Sequence, residues 1–275
     1  MKKKEGEERR LKQMHDIHSH ILPSVDDGAK HIEEAVEMAR IAEANGVKTI
    51  FATPHYIEGE GYKNTEHNKK VLDRLNEALK VENIGVKVLL GNEVFITPDI
   101  VKLLEEGEVS TLNNSRYLLV ELPMFNMPIY TEDIIYELRL KGIVPIIAHP
   151  ERNTKIMEDP NILYEFIKLG ALAQLNLTSL IGYYGESVKK TAEILLKHEM
   201  IHFMGTDSHS HKSRALNITQ GIEVMSKIVG YHKVDEIINK NPLAILNDEE
   251  ININEPKRYV RKGKIRSILE AIVGR

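Results

Sequence analysis

Histidine, aspartate and glutamate recur along this chain in short islands whose residue types suit metal ligation. The first is Asp16-Ile17-His18-Ser19-His20. Behind it come Asp26-Asp27-Gly28, Thr53-Pro54-His55, Gly91-Asn92-Glu93, Val120-Glu121-Leu122, Ala148-His149-Pro150-Glu151-Arg152 and Gly205-Thr206-Asp207-Ser208-His209. Almost all of them close a short apolar run. On an extended strand side chains alternate, so His18 and His20 point to the same side, as two ligands of one ion would. Asp207 and His209 repeat that spacing. Glu93 and Glu121 each end an apolar strand, where a carboxylate is costly unless paired or coordinated. His55 and His149 end apolar runs in the same way.

Each island also has a plain alternative. Asp27 lies in an Asp-Asp-Gly turn; Glu93 and Glu121 could cap a helix or pair with a lysine or arginine. Unrelated polar residues would not collect at the same end of six strands, and the coincidence favours ligands. Imidazole and carboxylate donors without thiolate suit Zn²⁺, Mn²⁺ or Fe²⁺ better than Ca²⁺. The nine candidates, His18, His20, Asp27, His55, Glu93, Glu121, His149, Asp207 and His209, exceed what one tetrahedral ion needs, so two or three metals are implied. Asp16 is expected to orient a histidine ring, with a simple buried hydrogen bond as the alternative. His31, His67, His198 and His232 are expected on solvated helix faces. His15 and His202 are expected to pack, and His211 is undecided.

The elements that position these groups alternate. Strands are expected at residues 14–17, 47–53, 86–93, 116–121, 143–149, 171–177 and 201–207, all nearly continuous apolar runs of the kind buried on both faces. Helices are expected at 31–45, 66–80, 98–105, 131–141, 160–169, 186–197 and 213–229, with short helical pieces in the tail from 234 to 275. Alternating β and α units predict a parallel sheet with helices outside. A closed barrel explains the ligands better than an open sheet, because it gathers the C-terminal ends of all strands around one point. Only the strand at 171–177 lacks a candidate ligand at that end.

Composition narrows the classes. The chain has 275 residues, a net charge of −4 and no cysteine. Disulfides, thiolate metal sites and cysteine nucleophiles are thereby excluded. The charge balance argues against a nucleic-acid groove. No run approaches the ~18 apolar residues of a membrane span, and the charged N-terminus is no signal peptide. A cytoplasmic protein is expected, with residues 1–13 as a charged extension and 14–275 as a single domain.

In order and spacing, the islands from Asp16 to His209 resemble those of the PHP (polymerase and histidinol phosphatase) superfamily. Within it they are most similar to the bacterial tyrosine-protein phosphatase branch associated with capsular and exopolysaccharide synthesis. The resemblance covers residues 14–250 or so. It implies a distorted seven-stranded, TIM-like (β/α) barrel with three divalent metal ions at the C-terminal face, Mn²⁺ first and Fe or Zn as alternatives. By motif, His18, His20, Glu93 and Asp207 would hold the first ion. Glu93 would bridge to a second, completed by Glu121 and His149, and Asp27, His55 and His209 would hold the third. Histidinol phosphatases of this fold usually carry histidine where this chain has Glu121 and Asp27. Arg152 and Arg214 match two arginines that hold phosphate in the tyrosine phosphatase branch.

The resemblance further implies hydrolysis of phosphotyrosine on an autophosphorylated bacterial tyrosine kinase. Such a metal cluster supplies hydroxide near neutral pH, and arginine forks match phosphate oxygens. The apolar loop at 122–130 could border the substrate ring or pack on the barrel rim. The alternatives are a histidinol-phosphate or other small-molecule phosphatase, a metallo-amidohydrolase and a non-enzymatic metal-binding protein. The amidohydrolases usually hold lysine or histidine where Glu93 and Glu121 stand, and a complete ligand set speaks against a decayed site.

Overall fold

Apolar runs too continuous for half-exposed strands become parallel strands covered on both faces. The computed structural model describes residues 14–212 and 218–261. The strands are β1 (Met14–Ser19), β2 (Val47–Ala52), β3 (His55–Tyr56), β4 (Lys87–Leu90), β5 (Glu93–Phe95), β6 (Tyr117–Glu121), β7 (Val144–Ala148), β8 (Leu172–Asn176) and β9 (Phe203–Gly205). Their pairings are all parallel among the described residues. One sheet runs β1-β2-β4 and the other β3-β5-β6-β7-β8-β9.

All seven expected strand segments are present, but one is interrupted. The run at 47–53 forms β2 and is followed, past Pro54, by the unexpected short strand β3, while that at 86–93 breaks into β4 and β5. Pro54 has no N–H to give a ladder, and Asn92 Nδ2 binds the Pro54 carbonyl at 3.1 Å. Backbone bonds continue across the break, from Gly91 N to Ala52 O at 2.9 Å and from Glu93 N to Pro54 O at 3.1 Å. At the far edge β9 leads back to β1. Asp207 N donates to His18 O at 2.8 Å, and His20 N donates to Ser208 O at 2.9 Å. The fold is therefore α/β, with its parallel strands curled.

Helices lie between the strands: α1 (Ile32–Ala44), α2 (Thr65–Val81), α3 (Ile100–Glu105), α4 (Thr131–Leu140), α5 (Thr154–Glu158), α6 (Asn161–Lys168), α7 (Leu177–Leu180), α8 (Glu186–Lys197), α9 (Ile218–Asp235) and α10 (Asn241–Asn247). In α1, Ala35, Met38, Ala39 and Ala42 are buried at helical spacing. His31 caps its N-terminus, accepting from Glu34 N. The expected helix at 213–229 is described from Ile218 and runs on to Asp235, kinked at Gly230 with φ of 80°. Residues 1–13 and 213–217 lie outside the described residues. No described helix is long and apolar enough to cross a membrane.

Period-two alternation explains how the strands present the site. Phe51, Leu119, Ile146, Leu172 and Phe203 belong to one buried cluster. Two residues further along, on the same faces, come Glu121 in β6 and Gln174 in β8. These two strands thus carry an apolar layer below a polar one.

Just before β9, His202 is buried in this frame, and Ala173 N donates to its Nδ1 at 3.1 Å. Burial pushes its pKa down to about 3, assisted by Lys233 and opposed by Glu199. A free histidine titrates near 6.5. Its contribution to stability is therefore complete above about pH 6.5 and is lost as pH falls toward 3. His202→Asn keeps an acceptor for Ala173 N and removes the titration. Urea denaturation of metal-free protein at pH 7, 6 and 5 should show wild type losing about 1 kcal/mol per pH unit more than this variant. Parallel losses would mean that the ring protonates within the fold.

Candidate metal centre

The nine expected ligands converge. His18 and His20 come from the end of β1, His55 from β3, Glu93 from β5 and Glu121 from the end of β6. His149 follows β7 and Asp207 follows β9, each in the left-handed region, with φ of 31° and 51°. Such backbone is unfavourable for non-glycine residues and persists where the surroundings demand it. Gly205 makes room for the convergence: a Cβ there would lie 2.6 Å from His18 Cβ and 2.8 Å from Gln174 Nε2.

Proton accounting at His18 and His20 decides what the site needs. His20 Nδ1 lies 2.7 Å from Asp26 Oδ2, an ionised carboxylate, so the ring nitrogen donates. Gln174 Nε2 donates to Asn176 Oδ1 at 2.8 Å, which leaves Gln174 Oε1 to accept from His18 Nδ1 at 2.9 Å. Neutral rings with protons on Nδ1 present lone pairs at Nε2. These Nε2 atoms are 3.1 Å apart, and Glu93 Oε2 lies 3.1 and 3.3 Å from them. Asp207 Oδ1 approaches the same nitrogens at 3.8 and 3.5 Å. Acceptors facing acceptors repel, and a cation at their common point removes the repulsion.

The remaining ligands extend this pattern. His149 Nε2 is 2.9 Å from Glu93 Oε1 and 3.7 Å from Glu121 Oε1. His55 Nδ1 is 3.0 Å from Glu93 Oε2. Asp27 Oδ1 is 3.3 Å from His209 Nε2 and 3.6 Å from His55 Nε2. Glu93 Oε2 and His55 Nδ1 are buried and make no geometrically sound hydrogen bond. Four overlapping groups could each hold an ion: His20, Asp27, His55 and His209; His18, Glu93 and His149; His18, His20 and Asp207; and His55, Glu93 and Glu121. The donor set fits divalent metal.

Electrostatics agree. Burial favours a neutral Glu93, but His18, His149 and His20 around it hold its pKa well below the ordinary carboxylate value. Glu121 moves oppositely, pushed up to about 7 by burial and by the charge of Glu93. Burial works against a charged His20, yet Asp26 and Glu93 raise it well above an ordinary histidine. The site is short of positive charge, which bound cations supply.

The chain belongs to the CpsB/CapC family of capsular polysaccharide synthesis. The family model matches residues 14–247. Over 253 residues the chain is 36% identical to the tyrosine-protein phosphatase YwqE of Bacillus subtilis, covering 92% of this chain and 98% of that one. It is 35% identical over 251 residues to the putative tyrosine-protein phosphatase CapC of Staphylococcus aureus, covering 91% and 98%. The crystal structures of YwqE and of Streptococcus pneumoniae CpsB are described as unique metal-dependent tyrosine phosphatases. This chain superposes on one with a TM-score of 0.86 at 35% identity, covering 90% of this chain and all of that one. The resemblance to the tyrosine phosphatase branch holds.

Asp16 does not take the expected place behind a histidine ring. It touches no histidine ring. It accepts from His18 N at 3.2 Å, Thr206 N at 2.9 Å and Thr206 Oγ1 at 2.5 Å, and so ties β1 to the turn after β9. Ring orientation falls to Asp26 and Gln174 instead. Strand β8 supplies none of these candidate ligands, but it brings Gln174 and Asn176, which have no spacing signal in the sequence, to the site. Arg152 donates from Nη1 to Asp207 Oδ2 at 2.9 Å, and its guanidinium lies 4.5 Å from the Tyr184 ring centre. Arg214 lies outside the described residues.

The 122–130 loop is held beside the Arg152 turn. Asn153 Nδ2 binds the carbonyls of Pro123 at 2.6 Å and Asn126 at 3.0 Å, and Thr154 N binds that of Met124 at 2.8 Å. Phe125 and Ile129 nevertheless stand 82% and 100% exposed, so they are not packed on the rim.

Metal binding requires an ionised Glu121 and neutral imidazoles. Uptake of Mn²⁺ or Zn²⁺ is therefore expected to release protons and to weaken as pH falls below about 7. Calorimetric titration in buffers of different ionisation enthalpy measures both. A pH-independent affinity without proton release would remove Glu121 from the ligand set.

Proposed function

We propose that this chain is a metal-dependent tyrosine-protein phosphatase whose substrate is a phosphotyrosine protein, an autophosphorylated tyrosine kinase of capsule or exopolysaccharide synthesis. The observation that carries the reading is the convergence of His18 Nε2, His20 Nε2, Glu93 and Asp207, with the nitrogens 3.1 Å apart and the carboxylates 3.1 to 3.8 Å from them. Full-length similarity to YwqE supports the substrate class. We assign three divalent ions, with Mn²⁺ first and Fe²⁺ or Zn²⁺ suited to the same donors. His18, His20, Glu93 and Asp207 would hold one. Glu93, Glu121 and His149 would hold another, and Asp27, His55 and His209 a third. The overlapping donor groups support this division. We also read the two sheets as one distorted seven-stranded barrel, with β2/β3 and β4/β5 as interrupted strands and the Ser19–Ser208 bridge as its seam. The absence of cysteine fits a reducing, cytoplasmic compartment.

When bound, such ions supply Lewis acidity and hydroxide near neutral pH. The chain's own task is to hold and orient the phosphoryl group. Arg152 uses Nη1 on Asp207 and is stacked over Tyr184, which fixes the plane of a five-donor fork. Arg214 would be its partner. In hydrolysis the water oxygen–phosphorus bond forms and the phosphorus–phenol oxygen bond breaks. The departing phenolate has a conjugate acid of pKa about 10 and needs no strong general acid. Phe125 and Ile129, exposed on the loop beside Arg152, would meet the peptide that carries the phosphotyrosine.

Phosphate release from a phosphotyrosine peptide and from histidinol phosphate, by Mn²⁺-loaded protein, tests the substrate class. A strong preference for the peptide is expected; preference for histidinol phosphate would move the chain to small-molecule chemistry. Arg152→Ala should lower kcat about 10²- to 10³-fold, as loss of one transition-state donor does, with metal content intact. Wild-type turnover in that variant would remove Arg152 from the reaction.

A further inference from the structure

Strand β8 holds no candidate metal ligand, yet two fully buried carboxamides, Gln174 and Asn176, sit at its site end. Gln174 Oε1 accepts from His18 Nδ1 at 2.9 Å and from His149 N at 3.3 Å. Gln174 Nε2 donates to Asn176 Oδ1 at 2.8 Å, and Asn176 Nδ2 donates to Asp207 Oδ2 at 2.8 Å. Every bond in this chain points the same way, from the His18 ring to the Asp207 carboxylate. Asp207 Oδ1 faces back toward His18 Nε2 at 3.8 Å. His18, His20 and Asp207 form one of the candidate ion groups.

We propose that Gln174 and Asn176 are positioning residues of a directed hydrogen-bond ring, His18–Gln174–Asn176–Asp207, closed by the ion that His18 and Asp207 share. The inference rests on the metal reading above. His20 is backed directly by a carboxylate, Asp26. His18 has only a neutral amide behind it. Bonds aligned in one direction polarise one another. The Asp207 charge makes Asn176 Oδ1 a stronger acceptor, which does the same for Gln174 Oε1. The ring thereby lends His18 part of the basicity that a carboxylate partner would give. It also reserves Asp207 Oδ2 for Asn176 and Arg152, and so aims Oδ1 at the ion. A carboxamide accepts and donates at once, as both positions require.

The test combines spectroscopy without metal and binding with it. In metal-free wild type, at a pH where the ring is neutral, long-range ¹H–¹⁵N correlation should show His18 as the Nδ1–H tautomer. The Nε2–H form, which free histidine prefers, would overturn the proposal whether or not any variant folds. Gln174→Met and Asn176→Leu, checked for folding by thermal melting in chelator, should each bind Zn²⁺ and Mn²⁺ about 10- to 100-fold more weakly, as outer partners of ligands do. Because one ring is broken either way, the double variant should lose about as much as the worse single variant. Losses that multiply, or unchanged affinity in the single variants, would show that the two amides do not act as a ring. Wild type that binds neither ion would reject the metal reading itself and the ring with it.

Discussion

Everything in this molecule answers to an electrostatic excess at the end of its strands. Five histidines and four carboxylates meet there. His18 gives its proton to Gln174 and His20 gives its proton to Asp26, so the inward atoms are lone pairs. Glu93 sits at the middle, within 3.3 Å of His18, His20, His55 and His149. A protein interior tolerates such an arrangement only with cations or protons to spare. Protons can serve in their absence, which is why Glu121 rises to about 7 while Glu93 stays ionised. Divalent ions serve better, because one ion satisfies several ligands at once. Any free energy of ion binding is then also free energy of folding.

The frame that holds this excess is correspondingly rigid. Below the ligands, Phe51, Leu119, Ile146, Leu172 and Phe203 fill the space between the strands. Residue parity carries β6 and β8 from that apolar layer to Glu121 and Gln174. Where parity fails, the backbone compensates. β1 shifts register between Asp16 and Ser19, and His149 and Asp207 turn left-handed. These departures lie at the ligands themselves, where local backbone preference yields to the site.

The ligands were legible in the sequence because a charged residue after an apolar run is expensive and therefore conspicuous. Nine such residues at strand ends predicted a shared site, and the structure brings all nine together. The strands were legible as apolar runs, but the breaks at Thr53-Pro54 and Gly91-Asn92 were not. The supporting residues were not. Gln174 and Asn176 are uncharged, occur in any buried strand and carry no spacing signal of their own. Asp16 stands beside the ligands in sequence, but its carboxylate is spent on His18 N and on the backbone and hydroxyl of Thr206. Asp26 and Asp27 are adjacent and chemically alike. Their division into a partner of the His20 ring and a donor beside His55 and His209 is a matter of turn geometry alone.

The same excess constrains how substrate enters. A phosphate monoester arrives as a dianion, toward a site that already holds Asp27, Glu93, Glu121 and Asp207. Coulomb repulsion between like charges a few ångströms apart is large where water is excluded. Arg152 cannot offset it alone, because its Nη1 is already shared with Asp207. Phosphate affinity must therefore depend on prior occupation by cations, which convert the cluster from a repulsive to an attractive field. In the proposed reading Arg152 would serve both demands. One edge of its fork binds the Asp207 carboxylate, and its stacking on Tyr184 fixes the plane in which the remaining donors would meet an oxyanion. Charge at the centre would thus set whether substrate binds, and the geometry of one guanidinium would set how it is held.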